Sequence, residues 1–353
     1  MTKVTISDIA ERAGVSAGTV DRVIHNRGEV SEKTREKVLE VIKELKYEPD
    51  IVASSLASRK TVRFAALLPE GSNLFWNKPA EGLNAAWNEI KAFGVSLEEF
   101  RFSYYDKDGF FQQLNALTES KPDGVVLTPV FTDGLNESLK KLSESGIPYV
   151  FINTQWENGE YLAFVGQDSK QSGKVAARLL DYCVADGGQI FIFNLISERG
   201  GNSHIISRER GFIEYFSYDQ EAGQKNILTI HVNAQHKEEI ENLLYRHLGT
   251  NQNKKDIRGV FVTNSRVYQI ADILEKEEYS NVRLVGYDLL EQNIRHLRNN
   301  TINFLIGQKP FEQGYNSVMT LFNAIVRKKE VPKNKFLPID IITKENIDFY
   351  LNL

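Results

Sequence analysis

From Val62 onward, short apolar runs alternate with amphipathic stretches of ten or more residues. This alternation constrains the fold more than any other feature of the chain. The runs are Arg63–Leu68, Gly124–Thr128, Pro148–Ile152, Gln189–Leu195, Asn226–Val232, Gly259–Thr263, Arg283–Gly286, Asn303–Gly307 and Lys335–Ile341. Read as strands with helices between most of them, they imply parallel sheets joined by right-handed crossovers. Ligands in such sheets bind beyond the carboxyl ends of the strands.

Polar residues recur at those ends. Asn73-Leu74-Phe75-Trp76 follows the first run, Thr128 ends the second and Asn153 follows the third. Asn264, Asp288 and Gln308 follow later runs, and Arg208 stands in Arg208-Glu209-Arg210-Gly211-Phe212, expected at a helix start. Aromatic rings that stack on C–H faces, beside Asn, Asp, Arg and Gln that take adjacent hydroxyls, suit a sugar. Each residue also has a plain structural role open to it. Asp288 could cap a helix from Leu289, Phe75 and Trp76 could be core, and Arg208 could pair with Glu209 or Glu214. Asp168 is expected to cap the helix that contains Gly173.

Several function classes lack their signatures. No GxGxxG follows the first strand and no Walker loop is present, which disfavours nucleotide-dependent enzymes. His25, His204, His231, His236, His247 and His296 show no HExxH spacing, so no metal site is expected. The candidate pocket has carboxylates but no nucleophile paired with a base, so neither catalysis nor a cofactor is expected. Cys183 is the only cysteine; it excludes an internal disulfide and reads as a small helix hydrophobe. No apolar run approaches the roughly 20 residues of a membrane span. Met1–Asp8 lacks the apolar core of a signal peptide, so a soluble, cytoplasmic protein is expected.

At 353 residues, the chain is long enough for two or three domains. Its net charge of −4 argues superficially against nucleic acid. That average hides a division: residues 1–60 carry 11 basic and 10 acidic side chains, and the remainder carries 32 and 37. The first sixty residues also read differently. Thr5 with Asp8 three residues on forms a capping-box pattern, and Ile6, Ile9, Ala10 and Ala13 recur at helical spacing. Gly14 supplies the positive φ of a tight turn, and Ser16 caps a second helix with Val20, Val23 and Ile24 inward. A third helix follows Ser31, with Val38, Leu39, Ile42 and Leu45 on one face. This is a helix-turn-helix with a third supporting helix.

The run Val4-Thr5-Ile6-Ser7-Asp8-Ile9-Ala10-Glu11-Arg12-Ala13-Gly14-Val15-Ser16, with Thr19-Val20, Arg22-Val23 and Val30–Val38, resembles the headpiece of the lac repressor family of bacterial regulators. The resemblance implies that the second helix enters the major groove, with Ala17, Gly18 and Arg22 at base edges. A guanidinium such as that of Arg22 pairs bidentately with guanine. Asp21 stands where the family usually has a small hydroxyl residue; a carboxylate near phosphates is repulsive unless it orients Arg22 or accepts from cytosine, which leaves the operator sequence open. Thr5, Ser16, Thr19, Asn26 and Thr34 are implied phosphate contacts. Residues 50–61 resemble the family's hinge helix, which places Leu56 as a minor-groove wedge.

The rest of the chain is similar to the sensor of the same family and to periplasmic sugar-binding proteins. The resemblance rests on Arg208-x-x-Gly211-Phe212, Gly286-Tyr287-Asp288 and Gln308. It implies a type I periplasmic-binding-protein-like α/β domain of two Rossmann-like parallel-sheet subdomains over 62–353, after an all-α headpiece at 1–49. One lobe would comprise 62–164 and 307–334, the other 165–306 and 335–353. Phe75, Trp76, Asn153, Arg208, Asn264, Asp288 and Gln308 would line the cleft between them. The expected function is a ligand-responsive transcriptional regulator, a repressor that senses a monosaccharide or derivative. Its partners would be near-palindromic double-stranded operator DNA and a second copy of the chain, with no membrane involved. A purine corepressor, a transport-linked sugar-binding protein and a sugar-modifying α/β enzyme are the competing readings.

Overall fold

The computed structural model describes residues 4–24, 28, 30–45, 47, 61–70, 74–156, 158–196, 203–218, 223–248 and 257–351. The chain divides into two compact units, Met1–Arg59 and Lys60–Leu353.

In the first unit three helices, α1 (Ile6–Ala13), α2 (Ala17–Ile24) and α3 (Glu32–Glu44), enclose a small core of Ile9, Ala10, Ala13, Val20, Val23, Val38 and Val41. Local signals set every boundary. The Thr5 hydroxyl accepts from the Asp8 amide at 3.3 Å, and Asp8 Oδ2 accepts from the Thr5 amide at 2.7 Å. Gly14 takes φ 63° and its amide donates to the last carbonyls of α1. Ser16 and Ser31 accept from the Thr19 and Thr34 amides at 3.1 and 3.3 Å, capping α2 and α3. One expected core position is corrected: Leu39 is 50% exposed, and Val41 occupies the buried face with Val38. Ile6, Ile24, Ile42 and Leu45 are partly buried around this core.

The second unit contains two six-stranded sheets. The first holds β1 (Val62–Pro69), β2 (Val95–Phe102), β3 (Gly124–Leu127), β4 (Tyr149–Ile152), β5 (Ala163–Gly166) and β11 (Asn334–Phe336), in the order β11-β5-β4-β3-β1-β2. The second holds β6 (Gln189–Ile196), β7 (Asn226–Asn233), β8 (Arg258–Val262), β9 (Val282–Tyr287), β10 (Phe304–Gly307) and β12 (Asp340–Ile342), in the order β12-β10-β9-β8-β6-β7. All pairings are parallel except β10 with β12. Successive residues of one strand feed different cores. Ala65 and Leu67 pack on one side of the first sheet, and Phe64, Ala66 and Leu68 on the other. Burial on both faces explains why these strands read as continuous apolar runs.

Among the described residues, the α-helices of this unit are α4 (Asn77–Ile90), α5 (Lys107–Glu119), α6 (Leu135–Glu144), α7 (Ser169–Cys183), α8 (Ser203–Tyr218), α9 (Lys237–Leu248), α10 (Val267–Lys276), α11 (Glu291–Arg298), α12 (Pro310–Leu321) and α13 (Ile347–Leu351). Two pairs approach backbone to backbone. A Cβ on Gly173 of α7 would lie 2.0 Å from the Arg208 carbonyl of α8, and one on Gly211 would lie 1.9 Å from the Lys170 carbonyl. Gly82 and Gly314 make the same reciprocal approach between α4 and α12.

Three differences from the sequence expectation concern strands. β2 is additional: Glu98, Glu99 and Arg101 interrupt its apolar character, as suits an edge strand that pairs only with β1. β5 is also additional, a four-residue strand between β4 and β11. The run Lys335–Ile341 is not one strand. Its first residues pair with β5 in the first sheet and its last with β10 in the second. Val165 and Gly166, placed by expectation in the second lobe, therefore belong to the first sheet, as do Lys335 and Phe336, while Gly307 belongs to the second. The chain crosses between the lobes at residues 167–168, 308–309 and 337–339. Gln167 ties these crossings together, donating through Nε2 to the Gly307 carbonyl at 3.0 Å and the Pro338 carbonyl at 3.4 Å.

Candidate functional site

In the helical unit, α2 presents Ser16, Ala17, Gly18 and Arg22 as exposed residues, with Thr19 and Asp21 partly buried. Val20 and Val23 point into the core and fix the rotation of the helix. The hydroxyls of Thr5, Ser16, Thr19 and Thr34 are engaged in caps, Ser16 Oγ lying 2.9 Å from Thr19 Oγ1 and Ser31 Oγ 2.8 Å from Thr34 Oγ1. These caps gather amides and hydroxyls at helix N-termini, where the helix dipole favours an anion. Asn26 and the segment 50–60, with Leu56, lie outside the described residues.

In the two-sheet unit, a cleft opens beyond the carboxyl ends of the strands. Its volume is about 520 Å³, the solvent at its mouth included. From the first lobe come Phe75 and Trp76 after β1, Tyr104 after β2 and Asn153 after β4. From the second come Leu195 at the end of β6, His204, Ile205 and Arg208 of α8, Asn264, Ser265 and Arg266 after β8, and Asp288 after β9. Gln308, on the second crossing, completes it.

The centre of the cleft is a buried polar chain. Arg208, only 1% exposed, donates through one terminal nitrogen to the Thr263 carbonyl at 2.8 Å and through the other to Gln308 Oε1. Gln308 Nε2 in turn donates to Asp288 Oδ2 at 2.8 Å. The guanidinium carbon lies 3.7 Å from the centre of the Tyr287 ring, a cation–π contact that the Ser172 hydroxyl, 3.0 Å from the Tyr287 hydroxyl, holds in place. Among the described residues, two atoms of this polar chain have no hydrogen-bond partner, Arg208 Nε and Asp288 Oδ1. Burial pushes the Asp288 carboxyl up to about 7, opposed by Arg208 and by the bond from Gln308. Burial and then the two nearby guanidiniums, Arg208 and Arg266, push His204 down to about 3, so its half-buried ring is neutral.

Backbone geometry aims these groups. Asp288 and Asn153 both adopt the left-handed region, at φ 69° and 64°. Asn and Asp tolerate it better than other non-glycine residues, at a cost on the order of 1 kcal/mol. The Asp288 amide donates to Ile306 at 3.1 Å and that of Asn153 to Val165 at 3.3 Å. Asn264 Nδ2 donates to the Leu195 carbonyl at 2.7 Å, and its Oδ1 accepts from the Arg266 amide at 3.1 Å. Phe75 and Trp76 meet edge to face at 5.0 Å, one wall of the cleft.

Seven expected cleft residues, Phe75, Trp76, Asn153, Arg208, Asn264, Asp288 and Gln308, thus come together. Thr128 does not: it is fully buried at the end of β3 and is absent from the lining. Asn73 lies outside the described residues. Arg208 is not at a helix start, since α8 begins at Ser203, and it pairs with neither Glu209 nor Glu214. Glu214 is taken by Lys170 and Arg210, and Glu209 accepts from Asn194. Asp288 does not cap α11, whose N-cap is Leu290, whereas Asp168 does cap α7. Sequence reasoning missed Tyr104, His204, Ser265 and Arg266. Away from the cleft, His296 gathers with Asp272 and Glu275, but the Arg295 guanidinium lies 2.7 Å from both His296 Nε2 and Asp272 Oδ1 and already supplies the balancing cation.

Comparison with known proteins agrees with both units. Residues 5–50 match the model of bacterial regulatory proteins of the lacI family, and residues 64–330 that of a periplasmic binding protein domain. Catabolite control protein A of Staphylococcus epidermidis is 30% identical over 254 residues, 71% of this chain and 67% of that protein. The match to the HTH-type transcriptional regulator DegA of Bacillus subtilis, 32% identical, spans 43% of this chain and 44% of that one. A crystal structure from Bacteroides fragilis, described as a LacI transcriptional regulator, is 34% identical. It superposes with a TM-score of 0.71 over 82% of this chain and 100% of its own. A helix-turn-helix unit followed by a two-lobed binding domain, matched along most of its length by regulators of one kind, identifies the chain as a member of the lacI family of DNA-binding transcriptional regulators.

Proposed function

We propose that this regulator is a dimeric repressor that senses a monosaccharide or sugar derivative in the interlobe cleft. The observation that carries the reading is the buried chain Arg208–Gln308–Asp288, which leaves Arg208 Nε and Asp288 Oδ1 unpartnered beside an aromatic wall. A sugar hydroxyl both donates and accepts. Two adjacent hydroxyls satisfy a carboxylate oxygen and a guanidinium N–H together while Phe75 and Trp76 cover the C–H face.

Gln308 links this site to the rest of the domain. It belongs to a crossing, and the adjoining Gly307 carbonyl accepts from Gln167, which also holds the third crossing. A ligand that pulls on Arg208 and Asp288 therefore acts on the segment about which the lobes turn. DNA is read by Arg22, Ala17 and Gly18 of α2, beside Asp21, with Thr5, Ser16, Thr19, Asn26 and Thr34 at phosphates and Leu56 of the 50–61 hinge as wedge. Two copies bind a near-palindromic site, since two-fold protein symmetry reads two-fold DNA symmetry. Coupling between effector and operator is reciprocal.

A thermal-shift screen against monosaccharides, sugar acids, polyols and purines tests this, followed by mobility shift with a hit. The expected result is a stabilising sugar that changes operator affinity and whose effect Asp288→Ala removes. A purine hit with no sugar hit, or a sugar that binds without altering operator affinity, overturns it.

A further inference from the structure

We propose that the effector is an acidic sugar, of the uronate class, whose carboxylate is held by Arg266 at the seam between the lobes. The inference rests on the sugar-sensing reading above and adds the charge of the ligand.

Among the described residues, positive charge is in surplus in the cleft: two guanidiniums line it, Arg208 and Arg266, and one carboxylate, Asp288. Asp288 is already engaged with Gln308, the residue that also accepts from Arg208. Among the described residues, Arg266 has no such counterpart. Its guanidinium donates to the Tyr105 hydroxyl and lies 5.8 Å from the centre of that ring. Among the described residues, no carboxylate forms an ion pair with Arg266 or Arg208. Nor does His204 add an anion or an alternative cation, since the two arginines and its burial keep the ring neutral.

A cation in a partly dehydrated cleft is costly unless something offsets it. A neutral sugar would leave the surplus in place, and its hydroxyls would bury Arg266 further. A negative charge placed on Arg266 offsets it. A planar carboxylate also matches the guanidinium fork in a bidentate manner. Position adds to charge, because Arg266 follows β8 in the second lobe and Tyr105 follows β2 in the first. An anion on Arg266 is therefore gripped where the lobes meet.

The test is calorimetric titration of the full chain with matched pairs: glucose and glucuronate, galactose and galacturonate, mannose and mannuronate, with the three 6-phosphates alongside. The expected result is one uronate binding at least tenfold more tightly than its neutral partner and than the 6-phosphate. That preference should weaken as sodium chloride rises from about 50 to 500 mM. In Arg266→Gln the ratio of uronate to neutral affinity should collapse toward one, and Arg266→Lys should retain part of it. Equal binding of a hexose and its uronate overturns the anionic inference and leaves sugar sensing standing. A preference that survives Arg266→Gln, or one for the phosphate, overturns it as well. If no sugar of any charge binds, both fail together.

Discussion

Asp288→Asn should gain on the wild type in stability as pH rises, and the size of the effect follows from the burial of one carboxyl. In the folded chain, 4% exposed, Asp288 titrates at about 7, against 3.8 for an unperturbed aspartate. Between those values the folded state holds a proton that the unfolded state has released. Unfolding free energy therefore falls as pH rises across the window, is unaffected below about 4, and is lowered in full above about 7. Three pH units at about 1.4 kcal/mol each give about 4 kcal/mol in total, of which about 2–3 kcal/mol falls between pH 5 and pH 8. Asparagine removes this dependence. Its amide oxygen can accept from Gln308, and the new N–H costs about 1 kcal/mol, independent of pH, where it lacks a partner. His204 moves the other way: depressed to about 3 from 6.5, it makes the wild type lose stability as pH falls through that interval. The difference between variant and wild type cancels the histidine to first order, so the difference is the quantity to measure. Urea unfolding followed by tryptophan fluorescence reports the right unit, since Trp76, Trp87 and Trp156 all lie within it. Without effector, Asp288→Asn should stand within about 1 kcal/mol of the wild type at pH 5 and exceed it by about 3 kcal/mol at pH 8. A difference that stays constant from pH 5 to 8 would refute the assignment of a buried, proton-retaining Asp288.

Two other substitutions test separate parts of the architecture. Gly211→Ala places a Cβ 1.9 Å from the Lys170 carbonyl, so α7 and α8 must separate. The expected cost is about 1–3 kcal/mol in calorimetric unfolding, and effector affinity should drop because Arg208 rides on α8. Arg22→Ala should lower discrimination between operator and scrambled DNA by the worth of one bidentate base contact, about 1–3 kcal/mol, while effector titrations stay unchanged. Equal discrimination by wild type and variant in a mobility-shift assay would move the reading surface away from α2.

What the sequence reveals here depends on how local the determining interaction is. The headpiece helices are legible because each boundary is set by residues three or four positions apart, as with Thr5 and Asp8 or Ser31 and Thr34. Leu39 misleads because apolar residues at 38, 39, 41, 42 and 45 permit two nearly equivalent faces, and packing against α1 and α2 chooses between them. Most strands buried on both faces announce themselves, whereas the short β5 and the edge strand β2, with Glu98, Glu99 and Arg101, do not. In the cleft, the rule that ligands bind at strand ends finds Asn153, Asn264, Asp288 and Gln308. It misses Tyr104 because the strand before it is missed. Arg266 lies two residues beyond Asn264, whose Oδ1 accepts from its amide, and that Asn-x-Arg spacing was the available signal. Thr128 meets the rule and fails it, because the chain turns directly into buried Val130 and Phe131.

The division of residues 334–342 between the sheets bears on how the protein is made. Neither lobe is a continuous stretch of chain: β11 must find β5, and β12 must find β10, after every other strand has left the ribosome. Such distant pairings are slow to form and leave strand edges exposed in the meantime. The helical headpiece, built from local contacts, is free to fold long before. During synthesis there is thus an interval in which the DNA-reading unit is finished and the sensing unit is not. A lobe expressed alone, without its returning strand, should accumulate as aggregate.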